Sequence, residues 1–192
     1  MTQEESPSTD DIFYPPGGLL VWSLVIMEVI TFGVALIAFM VAGQKDPELF
    51  HQARQHLNPL YGATNTVFLL ISGYFMANAV EQFKRGRNAR RSVLFAMTSG
   101  SLFLILKAIE YREKIEAGLV LGHDTFFTYY WLLTGFHLMH VRAGLVILAV
   151  LVRRLHPSVE KPKAEDFEAG AVFWHLCDLI WLLLFPVIYL LP

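Results

Sequence analysis

Five apolar stretches, each close to or longer than the ~20 residues a helix needs to cross a bilayer core, constrain this chain more than any other feature. They run over Gly18–Ala42, Leu60–Phe83, Ser92–Arg112, Thr125–Val152 and Gly170–Leu191. Lipid gives exposed backbone no hydrogen-bond partners, so each stretch must close its own backbone bonds as an α-helix. The predicted fold is all-α, a polytopic membrane protein with five transmembrane helices in a bundle. A soluble five-helix bundle would carry a polar stripe at the 3.6-residue period on every helix. Here Leu179–Leu191 has no charged residue on any face. Residues 1–17 read as a disordered polar tail on the cytoplasmic side, and residues 18–192 as the membrane domain.

Charge is sparse, at 17% of the 192 residues, and sits mostly between the apolar runs. A net charge of −2 supplies no basic patch for nucleic acid. The acidic N-terminal residues lack the basic flank of a secretory signal. The single cysteine, Cys177, allows no disulfide within one chain and reads as a small core residue. Loops two and four hold nine Lys/Arg, and loops one and three hold three, or four with Arg112 at the border. The positive-inside rule then sets the N-terminus in the cytoplasm and the C-terminus outside. Tyr129, Tyr130 and Trp131 fit an aromatic belt at the outer end of the fourth span. An odd number of spans and no self-similarity argue against the inverted repeats of secondary transporters.

Ionisable residues within the spans are costly in lipid unless paired, and so mark candidate sites. Glu28 falls about 15 Å into the first span, near mid-depth. It is either a proton-handling, carbodiimide-reactive carboxyl or a neutral acid hydrogen-bonded to a neighbouring helix. Lys107 and Glu110, spaced i, i+3, can pair on one helix face; an ion pair is the expected role and a proton path the sharper one. His137 and His140 share the same spacing and could supply metal or haem ligands. Counting from Gly170 puts His175 about 10 Å away from them in depth, which disfavours a three-histidine metal site. Hydrogen bonds from these histidines to Glu or Asp on neighbouring helices are the better reading. His175 and Asp178 form a further i, i+3 pair, expected to brace the last span. Gly33, Gly73, Gly100, Gly135, Gly144 and Gly170 are expected to permit close helix contact.

These residues together resemble subunit III of the haem–copper oxidases. Leu133-Thr134-Gly135-Phe136-His137-Leu138-Met139-His140-Val141 is similar to that family's T-G-x-H-x-x-H-V helix. Phe167-Glu168-Ala169-Gly170-Ala171 followed by Trp174-His175-Leu176-Cys177-Asp178-Leu179-Ile180-Trp181 resembles its E-A-G and W-H-x-x-D-x-x-W ending. Glu110-Tyr111 and Met27-Glu28-Val29 are similar to its Glu-Tyr pair and its membrane carboxylate, and Asn65-Thr66 and Ser72-Gly73 also fit. The resemblance runs from about Gly18 to the end, and the five-helix length is similar to that of short bacterial forms.

The resemblance implies a non-catalytic accessory subunit in a bacterial inner membrane, with no catalytic residue, haem or metal of its own. It would pack on the catalytic haem–copper subunit of a respiratory oxidase, hold phospholipid and help sustain proton uptake. Glu28 and Glu110 would then be structural or proton-handling carboxylates, and Lys107, His137, His140, His175 and Asp178 polar braces. Two departures stand out: Arg142, where the family is usually apolar, and Pro186 near the end of the tail. The tail and Tyr129-Tyr130-Trp131-Leu132-Leu133-Thr134-Gly135 look more like the NorE-type relatives associated with nitric oxide reductase, which makes such a reductase the favoured partner and an aerobic cytochrome c or quinol oxidase the alternative. From other classes, a stand-alone haem-binding cytochrome and a small proton channel or transporter remain rivals.

Overall fold

The computed structural model describes residues 17–159 and 162–191. The expectation of a disordered tail therefore falls almost wholly outside the described residues. Among the described residues six helices follow one another: α1 (Leu19–Lys45), α2 (Pro47–Gln55), α3 (Pro59–Lys84), α4 (Arg90–Glu116), α5 (Thr125–Arg154) and α6 (Ala164–Phe185). A single wider turn, Pro186–Leu190, continues α6. Among the described residues five helices are long and apolar enough to cross a membrane: α1, α3, α4, α5, and α6 with its final turn. Their outer surface fits lipid rather than water, with Leu20, Ile26, Leu70, Phe95, Met139 and Val146 all largely exposed.

The short α2 stands where a loop was expected. Its start is legible afterwards: Asp46 accepts from the Leu49 N–H at 3.2 Å and Pro47 occupies the first turn. The same chemistry opens α3, where Asn58 caps and Pro59 follows, and Asp124 caps α5 by accepting from Phe127 N at 2.7 Å. α6 begins at Ala164, six residues before the sequence-based start, because polar Glu165, Asp166 and Glu168 hid its first turns. Acidic residues there also complement the positive end of the helix dipole.

The centre of the bundle is α6, which packs on α1, α3 and α5 with Trp174 and Trp181 fully buried. Small residues make that possible. A Cβ on Gly100 or Gly144 would lie 2.7 Å from the Trp174 ring, and one on Gly170 2.8 Å from Leu151. Gly33 and Gly135 differ from the expectation, since nothing stands within 4 Å of where their Cβ would be. Polar bonds stitch the same helices: Ser72 Oγ donates to Ala96 O at 2.7 Å, Ser99 Oγ to Phe68 O at 2.6 Å, and Trp174 Nε1 to Ser72 Oγ at 3.0 Å. In lipid, where apolar contact alone gives helices no preference for one another over acyl chains, such packing and hydrogen bonds decide association. α1 is peripheral and buries only Phe32, Leu36 and Phe39.

Candidate functional site

The most concentrated polar chemistry lies where α4, α5 and the final turn meet. Lys107 and Glu110 are one and zero per cent exposed, and their Nζ and Oε2 are 2.9 Å apart. The expected pairing on one helix face is present, but it is only part of the arrangement. The Tyr189 and Tyr130 hydroxyls accept from Lys107 Nζ at 2.7 and 3.2 Å and donate to Glu110 Oε1 at 2.6 and 2.9 Å. Each hydroxyl thus bridges cation and anion, and both carboxylate oxygens are used. The rings of Tyr111, Tyr130, Trp181 and Tyr189 surround the ammonium with centroids 4.9–5.4 Å away, close enough for cation–π attraction.

Two members of this cluster were missed in the sequence. By sequence Tyr130 suits an interfacial belt, yet it is fully buried and bonds Lys107, while Trp131 donates to Leu119 O at 2.8 Å. The signal available was the i, i+3 spacing of Phe127 and Tyr130, which sets both on the inner face of α5. Tyr189 comes inward because Pro186 cannot donate to an α-helical ladder and the chain widens there, with Leu191 N bonding to Pro186 O at 2.9 Å. Arg54 of α2 donates to Ile188 O at 3.3 Å and fixes this turn from outside the spans. Burial lowers the Arg54 guanidinium below its ordinary pKa.

The second polar contact joins α1 to α5. His140 Nε2 lies 3.3 Å from Glu28 Oε1, with both side chains about one-seventh exposed. The His140 ring also has Phe32, Phe136 and Phe173 around it. It places a histidine beside a carboxylate of a neighbouring helix, as expected, within ion-pair distance; the hydrogen bond His140 makes runs from Nδ1 to Phe136 O at 2.9 Å. Glu28 Oε2 is buried with no hydrogen-bond partner among the described residues.

His137, one turn from His140, takes a different role. It is fully buried, stacks on Trp181 at 5.5 Å and meets Phe103 edge-on at 5.7 Å. Neither ring nitrogen has a hydrogen-bond partner among the described residues, and both polar side-chain atoms of Asn65 are in the same position. Among the described residues no carboxylate braces His137, contrary to its expected role.

His175 and Asp178 pair as expected, Nδ1 to Oδ2 at 3.4 Å. His175 lies about 9 Å along α6 from Trp181, on which the His137 ring stacks, so the expected offset in depth from His137 is present. Direction separates the three histidines as well: His175 lines a groove between α3 and α6, His140 faces α1, and His137 faces Trp181. Among the described residues no three His, Cys, Asp or Glu side chains gather as a metal site. Cys177 is buried.

Residues 20–191 match the profile of "Cytochrome c oxidase subunit III". A protein of Corynebacterium diphtheriae named "Cytochrome c oxidase subunit 3" is 30% identical over 141 residues, covering 72% of this chain and 69% of the relative. One of the same name from Synechocystis is 30% identical over 158 residues, covering 80% of this chain and 66% of the relative. The Drosophila melanogaster protein of that name is 34% identical over 128 residues, covering 65% of this chain, but the match spans only 48% of the insect protein's length.

Proposed function

The chain belongs to the cytochrome c oxidase subunit III family, and from that membership we propose that it is a non-catalytic accessory subunit of a haem–copper oxidoreductase in a respiratory electron transport chain. It stabilises the catalytic subunit, supports proton uptake, binds phospholipid and carries no haem or metal of its own. The observation that carries this reading is the Glu28–His140 contact. The two residues come from the two stretches whose motifs resemble the family, 112 positions apart in sequence, and they meet inside the membrane region. A carboxyl beside an imidazole in a nearly dry setting can hold or pass a proton, and it can equally lock α1 onto α5.

The subunit sits in a bacterial inner membrane with its N-terminus in the cytoplasm and its C-terminus in the periplasm. The excess of Lys/Arg in loops two and four supports that orientation. Cysteines placed at Ser158 and His123 test it. Outside reagent should reach position 123 and not 158, and the opposite pattern overturns the orientation.

Co-purification in mild detergent, with mass spectrometry of the accompanying chains, tests the function. A haem–copper subunit is the expected companion. A chain that purifies alone with its own Soret band, or that alone conducts protons in liposomes, would overturn the proposal. A nitric oxide reductase is the favoured companion on sequence resemblance alone, in the tail around Pro186 and in the run Tyr129-Tyr130-Trp131-Leu132-Leu133-Thr134-Gly135. Consumption of nitric oxide rather than oxygen by the co-purified complex distinguishes the two partners.

A further inference from the structure

Arg142 of α5 is exposed on the outside of the bundle and has no ion pair or hydrogen bond among the described residues. It lies ten residues, about 15 Å, from Val152, where the apolar run ends at Arg153 and Arg154. That is the middle of a hydrocarbon core about 30 Å thick. Its side chain lines a groove of about 370 Å³ between α4 and α5. On α4 the groove follows Leu104, Ala108, Tyr111 and Ile115, spaced 4-3-4 and so in one row. On α5 Leu138 lines it with Arg142, and Gly135 extends their row one turn further, with nothing within 4 Å of where its Cβ would be. The other polar groups along the groove are satisfied. Arg112 and Glu116 pair with each other at 2.7 Å, and the Tyr111 hydroxyl bonds Thr134 Oγ1 at 2.7 Å.

A guanidinium at this depth needs an anion beside it, and depth decides which. Phospholipid phosphates stand about 15 Å away at the border of the core, further than an arginine stem carries its charge. A second copy of this chain has no carboxylate to offer. Glu28 lies against His140, Glu110 holds Lys107 and Asp178 pairs with His175, and each of these three side chains is at most 15% exposed. The anion must come from a different protein. The groove's shape fits a helix as its carrier, because a 4-3-4 row is the spacing at which one helix packs on another. Ala108 and Gly135 have little or no side chain, so a second backbone can come close.

We propose that the α4–α5 groove seats a transmembrane helix of a different membrane protein, one that carries an Asp or Glu at mid-depth to pair with Arg142. The carboxylate takes the exposed guanidinium in a bidentate pair, the geometry for which arginine is suited. Leu104, Ile115 and Leu138 supply the apolar contact on either side. The Arg112–Glu116 pair stays at the outer mouth of the groove, as it stands without the visitor.

A photo-reactive p-benzoylphenylalanine in place of Leu104, irradiated in membranes of cells that make the full chain with its natural partners, tests this. It should give one discrete protein adduct, whose peptide maps to a transmembrane segment with an Asp or Glu near its middle. Arg142→Leu should lower that adduct at least tenfold. The same substitution should leave the unfolding midpoint of the purified chain in mixed micelles unchanged, because Arg142 has no partner within the chain. Arg142→Asp should abolish the adduct, and exchanging the captured carboxylate for Arg in that background should restore it. Lipid adducts alone, an adduct with a second copy of this chain, or a captured segment without a mid-span carboxylate would overturn the proposal. So would an adduct indifferent to Arg142→Leu, a shifted midpoint, or no recovery on exchanging the charges. None of these outcomes bears on the accessory-subunit reading, which stands or falls on co-purification of a haem–copper subunit.

Discussion

Removing one half of the Lys107–Glu110 pair should destabilise the subunit far more than the pair itself contributes. At 2.9 Å the attraction between the two charges is about 6 kcal/mol at an effective dielectric of 20. Desolvation of both charges offsets much of that, so the pair as a whole contributes little net stability. A single substitution leaves the offset without the attraction, a loss of about 3–5 kcal/mol for a buried pair. The orphan here would not be bare. In Glu110→Gln the ammonium keeps both tyrosine oxygens and its four rings; in Lys107→Met the carboxylate keeps two tyrosine donors at 2.6 and 2.9 Å. Each single variant should therefore fall at the lower end, about 3 kcal/mol. The double variant Lys107→Met/Glu110→Gln should cost about 1–3 kcal/mol rather than the sum, since no unpaired charge remains. Unfolding by denaturing detergent in mixed micelles, followed by tryptophan fluorescence, gives the four stabilities of the cycle. A coupling below about 0.5 kcal/mol would refute the reasoning, because contacting partners in one network must deviate from additivity by more than that.

Three further outcomes are expected. Gly100→Ala and Gly144→Ala should each lower thermal stability by about 1–3 kcal/mol through overlap with the Trp174 ring, while Gly33→Ala and Gly135→Ala should be neutral or gain up to about 1 kcal/mol of helix propensity; equal effects at all four sites would contradict the packing. Tyr189→Phe should cost about 1–3 kcal/mol by removing the hydroxyl that bridges Lys107 and Glu110, measured in the same micelle titration, and an unchanged midpoint would count against the bridge. Glu28→Gln should preserve assembly yet lower activity of the complex over many turnovers and abolish carbodiimide labelling of this chain; normal activity over prolonged turnover would leave Glu28 with a structural role only.

What the sequence reveals here depends on the range of the interaction. The five spans were legible because each is a long, local, one-dimensional signal. The i, i+3 pairs Lys107–Glu110 and His175–Asp178 were legible for the same reason, since helical spacing alone sets both residues on one face. The Glu28–His140 contact was foreseen only as a class of bond, because nothing local says which carboxylate a histidine on another helix will meet. Tyr130 and Tyr189 were not foreseen as polar partners. Their hydroxyls act across 23 and 82 positions from Lys107, and a tyrosine near a helix end is equally suited to a membrane border. The start of α6 was misjudged because hydropathy registers where lipid begins, not where a helix does. Ala164 to Ala169 carry three carboxylates and still form the first turns.

Two sequence oddities, a lysine deep in the fourth helix and a proline near the chain's end, become one device in the structure. A buried ammonium has three donors, and its paired carboxylate at Glu110 satisfies one of them. Tyr130 on α5 accepts a second, at the longer distance of 3.2 Å. The third needs an acceptor from another element, and the tail has a single hydroxyl within reach, that of Tyr189. In an unbroken α-helix that residue would follow the register set by Trp181 and Phe185; the wider turn at Pro186 holds more residues per turn and shifts it. Arg54 secures the shifted turn by bonding Ile188 O, and the Tyr189 hydroxyl then closes the network at 2.7 Å. A proline that weakens a helix by itself thus completes the solvation of a charge 79 positions before it, and the cost of one is meaningful only beside the burial of the other.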